Sequence, residues 1–301
     1  MRKWLSLLGI ALTAVSLAAC GTHQAAKSAN VSVESSQPTK YRRVVVSTGT
    51  IAQYLSALHV PMVGVPQEDN VPASLKKLPT IGQPRHVNLE KVVSLHPDLF
   101  IGDAAMANMT QQALAKQKIK TTYLDNMSYD KVMTNIERLG KMFGRQARAQ
   151  AIVKRMRQNE GKAVAGAAKL KGKKVVILFG TGENFMVATK NSYLGSLLGK
   201  LGVHNIADDL VHAPTPYMPI SMESVVAKNP DYILTLAHGN KQAATAAFKQ
   251  EMAKPIWQTT AARQQNHVYA LADQTFPVTG NIHADTTLTN LKDLLLYGPQ
   301  Q

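Results

Sequence analysis

Apolar residues along this chain fall into two alternating kinds of run. Short apolar stretches predict buried strands at Arg43–Ser47, Met62–Val65, Asp98–Ile101 and Thr121–Leu124 in the first half. The second half repeats the style with Lys174–Phe179, Phe185–Ala188, Tyr232–Leu236 and His267–Leu271. Between them, helical spacing predicts helices over Ile51–Leu58, Tyr193–Leu201 and Thr286–Tyr297. Strands alternating with helices make α/β lobes with mostly parallel sheets. Ser128–Leu170 is different: Val132, Ile136, Leu139, Met142, Phe143 and Ile152 keep helical spacing, and proline is absent. This stretch predicts one long helix of about 35 residues, N-capped by Ser128 and frayed near Gly161–Gly166.

One passage is written twice. Asn88–Phe100 is echoed 133 positions later by Ser221–Ile233. Each copy has an apolar residue, then Glu90 or Glu223, then two valines, then Pro97-Asp98 or Pro230-Asp231 and an apolar strand. Physically each is a short amphipathic helix, capped by Asn88 or Ser221 and stopped by the proline. Copies this far apart imply two similar lobes, because solenoid repeats run 20–50 residues. The expected organisation is an N-terminal lobe over 42–127, a connecting helix over 128–170 and a C-terminal lobe over 171–301. A single helix crossing between lobes is a stiff connector and argues against large hinge closure.

The amino terminus changes the picture. Arg2 and Lys3 precede an apolar stretch from Trp4 to Ala19, shorter than the roughly 20 residues of a spanning helix and placed like a signal h-region. It ends in Leu17-Ala18-Ala19-Cys20-Gly21, which resembles the lipobox of bacterial lipoproteins. That resemblance implies a signal peptide over 1–19 and diacylglycerol on Cys20, with an acylated new amino terminus and the palmitate-type chains of such anchors. Residues 20–41 then carry the anchor and a flexible tether rich in Ala, Ser, Thr, Gln and Lys. Cys20 is the only cysteine of 301 residues, which excludes an internal disulfide and any multi-cysteine metal site. Thirty-four basic residues against nineteen acidic ones give +15, which suits either nucleic acid or an anionic cell surface. Loss of Arg2 and Lys3 with the signal leaves +13. An exported, tethered protein meets the envelope, so nucleic acid is not an expected partner.

Val63-Gly64-Val65-Pro66, Leu78-Pro79-x-Ile81-Gly82 and Val187-Ala188-Thr189-Lys190-x-Ser192-Tyr193-Leu194-Gly195 carry a family resemblance. Ile233-Leu234-x-x-Ala237-His238-Gly239 and Thr279-Gly280-Asn281 extend it. Over about Arg42–Leu296 the chain resembles the class III substrate-binding proteins of bacterial ABC importers, and among them the haem-receptor lipoproteins of Gram-positive bacteria. The resemblance implies a monomer, lipid-anchored at the outer face of the cell membrane, that captures haem between its lobes and delivers it to a permease dimer. A siderophore or cobalamin receptor is the alternative within the same fold; an enzyme or chaperone on a two-lobe fold is the third reading. Family position also implies that Glu90 and Glu223 dock on arginines of the permease. A carboxylate at the same place in both lobes suits a two-fold partner on physical grounds too.

For the ligand, His238 follows an apolar strand and precedes Gly239, so it sits at a strand's carboxyl end facing the interlobe crevice. Imidazole is a good axial ligand for haem iron, and the resemblance implies that role. On the opposite side this sequence departs from the family: Arg85 stands where close relatives have methionine, with His86 after it. A guanidinium has no lone pair to give a metal. Three options stay open: His86 gives bis-histidine ligation; the iron is five-coordinate with Arg85 over the distal face or on a propionate; or the ligand is not haem. Arg85 and Lys190 could pair with propionates. Tyr193, Tyr217 and Met218 are candidate walls, Tyr217 lying in the Pro-rich run Ala213–Pro219, read as a rim loop. Met106, Met109 and His283 are outside candidates.

Catalytic motifs fail. Gly180-Thr181-Gly182-Glu183-Asn184-Phe185 starts like a dinucleotide loop, but phenylalanine takes the sixth position and a strand-like run follows. Phosphate-loop, zinc-protease and nucleophile-elbow signatures are absent from the sequence.

Overall fold

The computed structural model of the chain describes residues 40–182 and 184–299. The expected signal peptide, Cys20 and all but the last two residues of the expected tether lie outside the described residues. Among the described residues, no helix is long and apolar enough to cross a membrane.

The N-terminal lobe starts with β1 (Val44–Val46), three valines with no exposed surface, and α1 (Gly49–Ala57), capped by the Thr48 side chain. A hairpin of β2 (Gly82–Gln83) and β3 (His86–Val87) leads into α2 (Leu89–Ser94). Then come β4 (Leu99–Asp103), α3 (Ala107–Lys116) and β5 (Thr121–Leu124). Strands β1, β4 and β5 pair in parallel in that order, with Val45 opposite Phe100 and Phe100 opposite Thr121. The strand expected at Met62–Val65 shrinks to single bridges, Val45 to Gly64 and Val65 to Thr80. Pro61 and Pro66 bracket it, and neither has an N–H to extend a ladder.

The helix expected over 128–170 is divided. Ser128 caps α4 (Tyr129–Met142) by accepting the Lys131 N–H at 3.2 Å. Gly144 then turns the chain at φ +64°, and Arg145 N–H donates to Gly140 O at 2.7 Å, closing the helix end with the bond that accompanies a left-handed cap. The chain returns as α5 (Gln146–Gly166), a helix of 21 residues that provides the long connector. It lies so close to α4 that a Cβ on Gly140 would collide with the Ala149 Cβ.

The C-terminal lobe contains β6 (Lys174–Gly180), β7 (Phe185–Ala188), α6 (Tyr193–Lys200), β8 (His204–Asn205), α7 (Ala207–Leu210) and β9 (Tyr217–Pro219). It continues with α8 (Met222–Ala227), β10 (Tyr232–Ala237), α9 (Lys241–Met252), α10 (Ala261–Gln264), β11 (Val268–Leu271) and α11 (Ala284–Tyr297). Its sheet runs β11-β10-β6-β7-β9, with β8 beside the start of β6; β7 is antiparallel to both its neighbours, β6 and β9, and the other pairs are parallel. The Ala213–Pro219 run therefore ends in an edge strand rather than a rim loop, where its prolines cost no ladder bond.

The duplication persists in detail. Asn88 accepts the Lys91 N–H at 2.9 Å, and Ser221 accepts that of Ser224 at 3.2 Å. Val92 and Val225 are fully buried, and His96 and Asn229 both turn at positive φ, 45° and 49°. Asp98 accepts the Arg43 N–H at 3.1 Å and Asp231 that of Lys174 at 2.8 Å. Arg43 Nη2 reaches Leu95 O at 2.6 Å, as Lys174 Nζ reaches Lys228 O at 2.8 Å.

One hydrophobic core serves both lobes, running from β1 and α1 through α4 and α5 to β6, β10 and α11. Across it, Lys200 of α6 pairs with Asp130 of α4 at 2.9 Å and Glu160 of α5 at 2.7 Å. Close-packed cores deform little, so the lobes are braced against each other.

Candidate functional site

The carboxyl ends of the two sheets face each other. Just after β5, Asn126 O accepts the N–H of Gly280 at 2.8 Å, in the segment that follows β11. Gly280 O in turn accepts the Tyr54 hydroxyl at 3.1 Å. Such a meeting of strand ends is where α/β lobes collect ligand groups.

On the C-terminal wall, β10 delivers His238 one residue past its end. Its N–H donates to Gly180 O at 2.9 Å, extending the β10–β6 pairing. The imidazole is half-buried, its centroid 5.5 Å from that of Phe179. Phe179 stacks on Tyr217 at 4.3 Å. Tyr217, Phe179 and His238 thus form a row of flat rings. Burial is the main force lowering the His238 pKa from 6.5, and the Arg85 guanidinium on the other lobe lowers it further. Asp273, ion-paired to Lys241, opposes the shift, and Lys241 adds to it. At neutral pH the ring is therefore uncharged and keeps a lone pair for a metal. Among the described residues, no group of three or more His, Cys, Asp or Glu side chains is gathered for a bare ion. An iron already held by four pyrrole nitrogens needs only an axial donor.

Arg85 lies in the two-residue turn joining β2 and β3. His86, next to it, pairs through its backbone with Gln83 and is exposed. Arg85 is thus the hairpin residue whose charge reaches His238. The N-terminal wall also holds two carboxylates. Asp103, at the end of β4, accepts from Ala105 N–H at 2.9 Å and Asn126 Nδ2 at 3.0 Å. Glu68 accepts from Gly49 N–H at 2.6 Å. Burial raises both pKa values, and the Asp103 charge raises that of Glu68 further.

Several expected wall residues stand elsewhere. Tyr193 has no exposed surface and packs in the shared core, so it offers no face to a ligand. Met218 alternates with Tyr217 along β9 and packs on the opposite sheet face, against Val187 and Val225. Lys190 follows β7, which runs antiparallel to β6 and carries it away from the Gly180 end. Met109 is exposed on α3, Met106 is half-buried before it, and His283 is exposed at the start of α11. Sequence reading missed Phe179, Asp103, Glu68 and Asp273. Phe179 and Asp103 were visible in principle as the last side chains before a strand's carboxyl end.

Glu90 and Glu223 are exposed in the first turns of α2 and α8. Among the described residues neither forms an ion pair.

Two α/β lobes whose strand ends meet thus bring a half-buried imidazole and a stacked pair of rings together. The chain belongs to the periplasmic binding protein family, whose model matches residues 44–275. It is 31% identical to the high-affinity heme uptake system protein IsdE of Staphylococcus aureus over 255 residues, 84% of this chain and 86% of that protein. The solved structure of S. aureus IsdE complexed with heme superposes with a TM-score of 0.76, covering 84% of this chain and 98% of that one. An ABC transporter substrate-binding protein of Listeria monocytogenes gives 0.77 at 25% identity, covering 86% and 100%. S. aureus SirA complexed with staphyloferrin B shares the fold, with 0.73 at 18% identity over 86% of this chain and 94% of that one. The chain is an extracytoplasmic substrate-binding protein of the ABC-transporter kind, not an enzyme.

Proposed function

We propose that this protein captures haem in the interlobe cleft and hands it to an ABC permease. The observation that carries the reading is His238: an uncharged imidazole past the end of β10, flanked by the Phe179–Tyr217 stack and facing Arg85 across the cleft. In this reading His238 ligates the iron, the rings lie along the porphyrin, and Arg85 neutralises a propionate or caps the distal face. The iron is then five-coordinate: Arg85 is the hairpin residue whose charge bears on His238, while exposed His86 is tied to Gln83 through its backbone. Likeness to a heme-binding relative over 84% of the chain supports the same ligand class. Glu90 and Glu223, one per lobe at matched positions, dock on the permease, and Cys20 anchors the monomer to the membrane through lipid.

Titration with haemin tests the ligand. A Soret shift on mixing, abolished or altered by His238→Ala, is expected. No shift, or one unaffected by His238→Ala, rejects haem. A second reading, an anionic ferric siderophore, is favoured by Arg85, since a guanidinium suits carboxylate oxygens. Tight binding of a ferric carboxylate siderophore with no haemin binding would establish it.

A further inference from the structure

The two docking helices are alike in sequence but not in surroundings. In the N-terminal lobe, α2 and α3 leave a groove of about 420 Å³ between them, lined by apolar Leu89, Val93, Ala113 and Leu114 with Glu90, Ser94 and Gln117. Four residues (117–120) join α3 to β5, too few to cover it. In the C-terminal lobe fifteen residues (253–267) join α9 to β11, and they include the turn Pro255–Thr259. That turn packs against α8, placing buried Trp257 and half-buried Ile256 in one cluster with Val225, Met222 and Val226. The chain has filled from within, on one side, the space it leaves open on the other.

Charge differs in one respect. Both glutamates are exposed and neither forms an ion pair among the described residues, but only Glu90 borders a groove. Glu223 shares its surroundings with Lys254, an ammonium paired to Glu251 at 2.6 Å that also feels the Glu223 charge. An unpaired carboxylate beside an apolar groove fits a partner surface bearing a cation next to an apolar side chain.

We propose that the groove between α2 and α3 is the principal anchor for the permease: a subunit of the permease seats an apolar side chain between Leu89, Val93 and Ala113 while a neighbouring basic residue meets Glu90. The C-terminal lobe, with its groove filled, contributes Glu223 as a weaker steering contact. Docking is therefore asymmetric although the two helices are duplicates. This rests on the permease-receptor reading, and the test separates the two.

Full-length variants placed on the chromosome of the producing bacterium are scored by uptake of radiolabelled haemin, each first titrated with haemin to show that its cleft is intact. Ser94→Trp, which fills the groove, and Ala113→Trp on its other wall are expected to lower uptake about thirtyfold, the size of a single interfacial hot spot. Ala227→Trp, the position matching Ser94 in the other lobe, is expected to keep uptake within about twofold of the parent. Glu90→Gln is expected to cost about fivefold more uptake than Glu223→Gln. Full uptake by both groove-filling variants, or equal losses from the two single glutamine variants, overturns the asymmetric anchor and leaves docking by both lobes standing. Full uptake by the double glutamine variant overturns permease docking at these helices altogether.

Discussion

Tyr54→Phe probes a contact between the N-terminal lobe and the segment that follows the last strand of the C-terminal lobe. Tyr54, on α1 of the N-terminal lobe, has no exposed surface. Its hydroxyl lies 3.0 Å from Asn126 Oδ1 and 3.1 Å from the carbonyl of Gly280, in the segment that follows the last strand of the other lobe. Burial and nearby Tyr193 and Asp103 push its pKa well up, so the group is a neutral donor throughout the accessible range. Phenylalanine keeps the ring packing and removes only the O–H. Asn126 Oδ1 retains the amide of Asn135 at 3.1 Å, so the Gly280 carbonyl is the group left short of this donor. An acceptor unsatisfied in such a place costs about 1–3 kcal/mol. Taking about 2 kcal/mol, a domain of this size loses roughly 6 °C of melting temperature. Urea unfolding measures it: the midpoint should fall while the m-value stays constant. A double-mutant cycle with Asn126→Ala should show a coupling of at least about 0.5 kcal/mol. A Tyr54→Phe protein with parental stability would show that the hydroxyl does not brace the lobes, and the stiff-joint argument would fail.

Three further outcomes concern the ligand site. Burial and Arg85 hold the His238 pKa below 6.5, so haemin affinity should be flat above that pH and fall as pH drops through the folded value. The same direction makes His238 a stability contribution present above 6.5 and lost in acid, because the unfolded chain binds the proton more readily. Arg85→Gln removes one lowering cause, so NMR titration of His238 in the ligand-free protein should give a higher pKa, and the acid loss of haemin should begin at higher pH; an unchanged or lower value would place Arg85 outside the field of His238. His86→Ala should leave the ferric absorption spectrum high-spin and unchanged, whereas conversion of a low-spin parent to high-spin on this substitution would establish bis-histidine ligation.

The architecture was legible because two of its signals are nearly free of tertiary context. Buried parallel strands read as apolar runs, and β5 and β7 have the predicted limits of Thr121–Leu124 and Phe185–Ala188. The repeated Glu-x-Val-Val and Pro-Asp passages declared two lobes, and both aspartates do the same work at the start of a neighbouring strand, β1 or β6. The connector was harder. Helical spacing continues across residues 143–145, and only Gly144 signals the break; periodicity does not distinguish a bend from a straight run. Helices α3 and α9 escaped prediction because their exposed faces are rich in Gln, Lys and Ala and their buried stripes are narrow.

The site was less legible because it depends on which face of a strand a residue takes, and on what lies across the cleft. Tyr217 and Met218 are neighbours in sequence, yet β9 is extended, so only one can face the rings of Phe179 and His238 while the other joins the opposite cluster. Tyr193 belongs to a family-like segment that reads as a wall; its complete burial puts it in the shared core instead. Arg85 and His238 are 153 residues apart, and no local pattern joins them; only the facing of two sheet ends does. The same reasoning explains why duplication misleads about docking. A repeat fixes what each helix is, including its cap, its buried valine and its glutamate, but not what packs beside it. The fifteen-residue link after α9 lies outside the repeated passage and converts one of two equivalent grooves into core. Equivalent residues then carry unequal loads, and the pair of glutamates is better treated as two different contacts than as one contact twice.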